Sequence, residues 1–165
     1  MSSSETKSKN QYWPLIVIVS MSFMGAVAIQ AGRGYFNLNS WMHYAMGIFL
    51  CIFAMFKIFD LKGFVHGFSM YDLVVKKFRP YGFIYPFIEL GLGLAYLSFF
   101  KPALTYVITV VVMTIGAVGV IRSLKKGMNV NCACLGTTLK VPLSTIAVIE
   151  DVGMALMALM MLFMG

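Results

Sequence analysis

Two cysteines one residue apart, Cys132 and Cys134, carry the most obvious redox chemistry in this sequence. They lie in a polar loop, residues 129–138, between the last two long apolar runs. Cysteines at i and i+2 can bond only in a strained small ring, and strain makes a disulfide easier to reduce. Such a pair suits the transfer of oxidising equivalents, or disulfide isomerisation, better than the stapling of a loop. Lys125, Lys126 and Lys140 flank the pair and can stabilise thiolates, which raises their reactivity.

Two other interpretations of the pair stay open. Two thiolates can hold a soft metal ion such as Cu(I), Hg(II) or Zn(II), although closed structural zinc sites usually have four ligands. Cys132 and Cys134 can also be incidental thiols in a reduced loop, and the chain is then a non-catalytic assembly subunit of a membrane complex. Thiol–disulfide exchange is the one enzymatic activity that the pair suggests. No haem or quinone site is recognisable, so the sequence predicts no cofactor.

The composition is that of an integral membrane protein. Of the 165 residues 60% are hydrophobic and 12% charged, with a mean hydropathy of +0.85, whereas a soluble domain is about half apolar and a quarter charged. Three cysteines are too few for a disulfide framework. The sequence contains no Gly-rich phosphate loop, serine-triad signature or HExxH pattern.

Five apolar runs are long enough to cross a bilayer, which takes about 20 helical residues. They cover about residues 12–29, 41–59, 81–100, 103–121 and 142–164. Residues 1–11 are polar and predicted to be a disordered tail, residues 12–40 an extra N-terminal helix with its loop, and residues 41–165 the main membrane domain. The small residues Gly91 and Ala95, and those at 116, 117 and 119, are expected to allow close helix packing.

Residues 60–80, between the second and third runs, are too polar to span a membrane. They contain an apolar stripe at helical spacing: Phe64, Phe68, Tyr71 and Val75. This pattern predicts a short amphipathic helix on the membrane surface; a loop with a few aromatic anchors is the alternative. The predicted fold is therefore an all-α membrane bundle of about five transmembrane helices with a short surface helix.

The basic residues predict the orientation of this bundle. Eleven of the 13 Lys and Arg residues fall on one side of the predicted membrane, leaving Arg33 and Lys101 on the other. Basic loops face the cytoplasm. In a bacterial inner membrane this puts the N-terminus and the cysteine loop in the cytoplasm and the C-terminus in the periplasm. The net charge of +7 is thus a topology signal, and no nucleic-acid partner is expected.

Ionisable groups inside a span are functional candidates because they are costly there. Glu89 and Glu150, with Asp151 beside the latter, and the thiol of Cys51 are all predicted about 12 Å from the inner boundary, at about 1.5 Å per helical residue. Lys57 is the natural partner for either glutamate. Proton transfer by Glu89 or Glu150 competes with a purely structural role, and an inert packed thiol is the better interpretation of Cys51. His43 and His66 lie on different sides and form no site.

Four motifs together resemble a known family. They are Phe56-Lys57-Ile58-Phe59-Asp60; Gly63-Phe64; Tyr85-Pro86-Phe87-Ile88-Glu89-Leu90-Gly91-Leu92-Gly93-Leu94; and Cys132-Ala133-Cys134-Leu135-Gly136. Because it carries these motifs in this order, the chain resembles the methylamine utilisation protein MauE branch of the DoxX-like membrane proteins over about residues 41–164.

The resemblance implies a four-helix DoxX-like core, here with an extra N-terminal helix, in the cytoplasmic membrane. It implies a redox-associated role in the maturation, transport or disulfide formation of a thiol-bearing partner protein, in the name-giving case the small subunit of methylamine dehydrogenase. Cys132 and Cys134 match the family's cysteine pair, while Lys57, Asp60 and Glu89 match its polar membrane positions. Leu135 stands where the family more often has Phe. That dehydrogenase is periplasmic, whereas the charge asymmetry predicts a cytoplasmic cysteine loop.

Overall fold

The structure, a computed structural model, describes residues 13–71, 75, 77–78, 80–125 and 143–164. Within these residues the chain forms six α-helices and no strand. They are α1 (Trp13–Arg33), α2 (Leu38–Phe59), α3 (Leu61–Tyr71), α4 (Pro80–Leu97), α5 (Pro102–Lys125) and α6 (Leu143–Met164). The all-helical prediction is confirmed for this part of the chain. The predicted tail, residues 1–11, and the cysteine loop lie outside the described residues.

Three stretches within these helices are long and apolar enough to cross a membrane: Leu15–Arg33, Leu38–Phe59 and Pro102–Gly119. The chain is therefore a helical membrane protein. The helix boundaries follow local chemistry. Asn37 caps α2 by accepting a 3.2 Å hydrogen bond from the Ser40 amide, and α4 and α5 each begin at a proline, which is favoured in the first turn.

The helices run up and down, and α2 lies at the centre. α1 packs along one side of α2 and α4 along another, while α5 and α6 pair with each other. One end of the bundle holds Arg33, His43 and the α4–α5 turn with Lys101; we call this the His43 end. The opposite end holds Lys57, α3 and the start of α4, and we call it the Lys57 end.

The crossing between α2 and α4 uses glycines other than those that the sequence suggested. A Cβ atom on Gly93 would lie 2.7 Å from Cys51 Sγ and 3.0 Å from the Gly47 carbonyl oxygen, so α2 and α4 approach backbone to backbone. Among the described residues, a Cβ on Gly91 would meet no atom within 4 Å, so the close packing expected at Gly91 is wrong for this part of the chain. The expected role of Gly116 is confirmed, because its Cβ would lie 2.8 Å from Asp151 Oδ2 on α6.

The predicted amphipathic helix exists as α3, but its apolar side faces the protein. Phe64 and Phe68 are only 1% and 3% exposed. Their rings contact Tyr85 of α4, with centroids 6.1 and 4.8 Å away. For Phe64 and Phe68, the lipid contact expected of a helix on the membrane surface is therefore wrong. The physical reason is the buried charge of Lys57, which α3 covers.

Candidate functional site

Lys57 and Glu89 form a buried ion pair at the Lys57 end of the bundle. Lys57 lies in the last turn of α2, and Glu89 lies midway along the antiparallel α4. Lys57 Nζ is 2.5 Å from Glu89 Oε2, and the two side chains are only 4% and 1% exposed. The sequence analysis offered Glu89 and Glu150 as partners for Lys57, and Glu89 is the one that Lys57 contacts directly.

Three aromatic rings surround the Lys57 ammonium. Its Nζ lies 5.9, 5.7 and 5.3 Å from the ring centroids of Phe53, Phe64 and Tyr85. A cation at this distance from a ring face is attracted by the ring quadrupole, by about 0.5–2 kcal/mol depending on desolvation. The rings come from α2, α3 and α4, so the charge joins three helices at one point.

The turn between α2 and α3 sets the position of Phe64. Asp60 is the residue before α3, and its Oδ1 accepts a 3.1 Å hydrogen bond from the Gly63 amide. This is the geometry of a helix N-cap. A Cβ on Gly63 would collide with the Asp60 carboxylate. The spacing Lys57, Asp60, Gly63, Phe64 thus turns the chain so that the Phe64 ring covers the Lys57 ammonium.

The two carboxylate oxygens of Glu89 differ in their hydrogen bonding. Glu89 Oε1 is buried and has no hydrogen-bond partner within the described part of the chain. A buried charge costs several kcal/mol in desolvation unless its partners compensate it. The pair can therefore either fix the two helices against each other or provide a carboxylate oxygen that accepts a proton.

Cys51, Glu150 and Asp151 face different neighbours in the structure. The Cys51 thiol is partly exposed and packs against Gly93 on α4. Glu150, 8% exposed, lines a cavity of about 140 Å³ between α1, α2 and α6. Asp151 faces Gly116 of α5 instead. Successive residues of a helix point about 100° apart, which separates the two neighbouring acids of α6.

His43 belongs to a polar cluster that the sequence analysis missed. Its ring is 2% exposed. Nδ1 lies 3.2 Å from the Tyr96 carbonyl oxygen, Nε2 is hydrogen-bonded to the Tyr106 hydroxyl, and the ring stacks on Phe99 with centroids 4.3 Å apart. These partners are more than 50 residues away in sequence. The only sequence signal was a histidine inside an apolar run.

Cys132 and Cys134 lie outside the described residues. Among the residues that are described, no three His, Cys, Asp or Glu side chains converge to hold a metal ion. The redox and soft-metal interpretations of the pair both stay predictions. The described neighbours of the loop are the end of α5 at Lys125 and the start of α6 at Leu143, both at the Lys57 end.

Comparison with known proteins gives a family but no individual relative. No curated protein and no solved structure matches the chain. The family model described as "Methylamine utilisation protein MauE" matches residues 36–164. The match begins just before α2 and includes Lys57, Glu89 and the two cysteines of the loop, while α1 precedes it. This chain belongs to the methylamine utilisation protein MauE family.

Proposed function

We propose that this chain is a five-span protein of the bacterial cytoplasmic membrane that exchanges disulfides with a partner protein through Cys132 and Cys134. The observation that carries the proposal is the family match, which includes the cysteine loop and whose description points to methylamine utilisation. On this proposal the chain helps to mature a partner of that system. Residues 1–11 form a tail, α1 is an addition before the family domain, and α2, α4, α5 and α6 form its core.

The helix lengths support five spans. At about 1.5 Å per residue, helices of 18 to 24 residues are about 27–36 Å long, close to the roughly 30 Å of a hydrocarbon core. The charges support the orientation, because Arg33 and Lys101 share one end while Lys62, Arg122 and Lys125 lie towards the other. The Lys57 end then faces the cytoplasm, and the cysteine loop begins and ends there.

The exchange needs only the two thiols and a disulfide in the partner. One thiolate attacks a partner sulfur, the partner's S–S bond breaks, and a mixed disulfide and a partner thiolate form. The second thiolate then attacks the mixed disulfide, which leaves a Cys132–Cys134 disulfide and a reduced partner; two electrons have moved to the partner. The reverse sequence introduces a disulfide into the partner. We propose that Glu89, held beside Lys57, or Glu150 takes up the protons that the thiols release.

The test uses thiol labelling in cells and in inverted membrane vesicles, with and without reductant, in a Cys51→Ser background that leaves only the pair. Labelling that requires reductant, from the cytoplasmic face, is the expected result. Replacing only Cys132 or only Cys134 with Ser should trap a mixed disulfide with the partner. Equal labelling with and without reductant, and no trapped partner, would contradict the proposal.

The alternatives are separable in the same background. A soft-metal carrier would bind Cu(I) or Hg(II) tightly through both cysteines and lose that binding in the Cys132→Ser/Cys134→Ser double variant. A non-catalytic assembly subunit would tolerate the double variant. Phe64 and Phe68 are buried within the chain, so the apolar stripe of α3 does not favour the assembly alternative.

A further inference from the structure

A pocket of about 420 Å³ opens at the His43 end, where α2, the α4–α5 turn, α5 and α6 meet. Its inner wall is formed by His43, Tyr106 and Phe99, and Leu162 of α6 closes one side. Asn37, Asn39 and Ser40 bring amide and hydroxyl groups to the wall. The pocket is therefore apolar on one side and rich in hydrogen-bonding groups on the other.

The Tyr96 carbonyl determines how His43 and Tyr106 can act. A carbonyl oxygen only accepts hydrogen bonds, so Nδ1 of His43, 3.2 Å away, carries a proton and donates it. In neutral His43, Nε2 is then an acceptor and the Tyr106 hydroxyl donates to it. When His43 takes up a proton, Nε2–H donates to the Tyr106 oxygen, and the Tyr106 hydrogen becomes available to a ligand in the pocket.

The surroundings favour a negatively charged ligand. The six acidic residues of the sequence all lie outside residues 33–43 and 96–106, whereas Arg33 and Lys101 lie inside these ranges. The Arg33 guanidinium lies 5.4 Å from the centre of the ring of Tyr44, which is the residue after His43 in the sequence. The helix dipoles do not decide the sign of the ligand, because α2 and α5 begin at the pocket with their positive ends while α6 ends there with its negative end.

One side of the pocket mouth is held in place before any ligand binds. The buried Gln30 side chain of α1 donates a 2.8 Å hydrogen bond to the Asn37 carbonyl and accepts a 3.0 Å bond from the Asn37 amide. Gly34, at φ +75°, makes the turn between these residues. The first amides of α2 are thus positioned by a second helix, which lowers the ordering cost of binding.

We propose that this pocket binds an oxyanion, a phosphate or carboxylate group, together with one proton that His43 takes up. Tyr106 is the residue that donates to the oxyanion, and His43 is a positioning residue that acts through it. The oxyanion belongs either to the headgroup of an anionic membrane lipid or to a small water-soluble anion. The site is separate from the Lys57–Glu89 pair and from the cysteine loop, and does not depend on the proposed thiol exchange.

The test is energy transfer from Trp41, three residues after the start of α2, to pyrene-labelled phosphatidylglycerol in phosphatidylcholine vesicles. The full chain carries Trp13→Phe, which leaves Trp41 as the one tryptophan. We expect phosphatidylglycerol to bind more tightly than pyrene-labelled phosphatidylcholine, with an affinity that rises as pH falls, by up to about tenfold per pH unit for one proton. Inorganic phosphate is the competitor: displacement indicates a soluble anion, and no displacement indicates a lipid headgroup.

Tyr106→Phe should weaken binding by about tenfold and remove its pH dependence, because the donor is lost. His43→Gln should also remove the pH dependence. Tyr35→Phe is the matched control, since it deletes the same hydroxyl from a residue 60% exposed at the same end. Equal binding of both lipids without displacement by phosphate, or binding to the Trp13→Phe chain that is independent of pH, would overturn the proposal. That result does not depend on the folding of a variant at His43 or Tyr106.

Discussion

Removing Lys57 should destabilise the chain through the charge it leaves behind. At 2.5 Å and an effective dielectric constant of about 20, the gross attraction between Lys57 and Glu89 is about 7 kcal/mol. Much of that is offset by desolvation, and breaking a buried pair typically costs about 3–5 kcal/mol. Lys57→Met keeps the length of the side chain but leaves the Glu89 carboxylate in a site that is 1% exposed. We therefore expect a loss of about 3–5 kcal/mol in the free energy of unfolding.

The double variant Lys57→Met/Glu89→Leu separates a lost charge pair from lost packing. Both charges are then gone, and such replacements are often neutral or stabilising. The double variant should therefore be more stable than either single variant. The assay is equilibrium unfolding in mixed micelles, with circular dichroism as the readout. Lys62→Met is the control, because Lys62 is an exposed lysine in the same region. Two single-variant losses that simply add in the double variant would refute the reasoning.

Further variants test three other contacts by the same assay. Gly93→Ala should lower the stability because a Cβ has no room at the α2–α4 crossing. Gly91→Ala should leave the stability unchanged or raise it by up to about 1 kcal/mol through helix propensity. Equal effects of the two variants would contradict the close approach of α2 and α4 at Gly93. Asp60→Ala should cost about 0.5–2 kcal/mol as a lost helix cap, and Asp60→Asn much less. Gln30→Leu should cost about 1–3 kcal/mol, because the backbone groups of Asn37 lose two hydrogen bonds at a partly buried position; an unchanged stability would exclude a role for Gln30 in holding the loop.

The sequence predicts the helices well because the signals for them are local. Each described long helix begins and ends within about four residues of a predicted run, since prolines, glycines and runs of apolar residues act on their own neighbours. The contact between Lys57 and Glu89 was also within reach, because an intramembrane charge needs an opposite charge. What the sequence does not contain is the rotation of each helix about its axis.

Two errors follow from that missing rotation. Gly91 and Gly93 are two residues apart, which is about 200° around a helix, so only one of them can face α2. The stripe of α3 is apolar whether it meets lipid or protein, and the difference depends on where α4 lies. His43 was missed for the same reason: its partners Tyr96 and Tyr106 come from two other helices.

The two polar clusters cannot exchange a proton directly. His43 and Lys57 are 14 residues apart on α2, which is about 21 Å along the helix axis. From residue 45 to residue 56 the buried side chains of α2 are apolar, with Met46 and Leu50 each 1% exposed and Phe53 fully buried. If binding in the His43 pocket affects the Lys57 end, it must do so by moving α2 against α4 and α5. Gly47 and Gly93 limit that motion, because at their crossing the two backbones already touch.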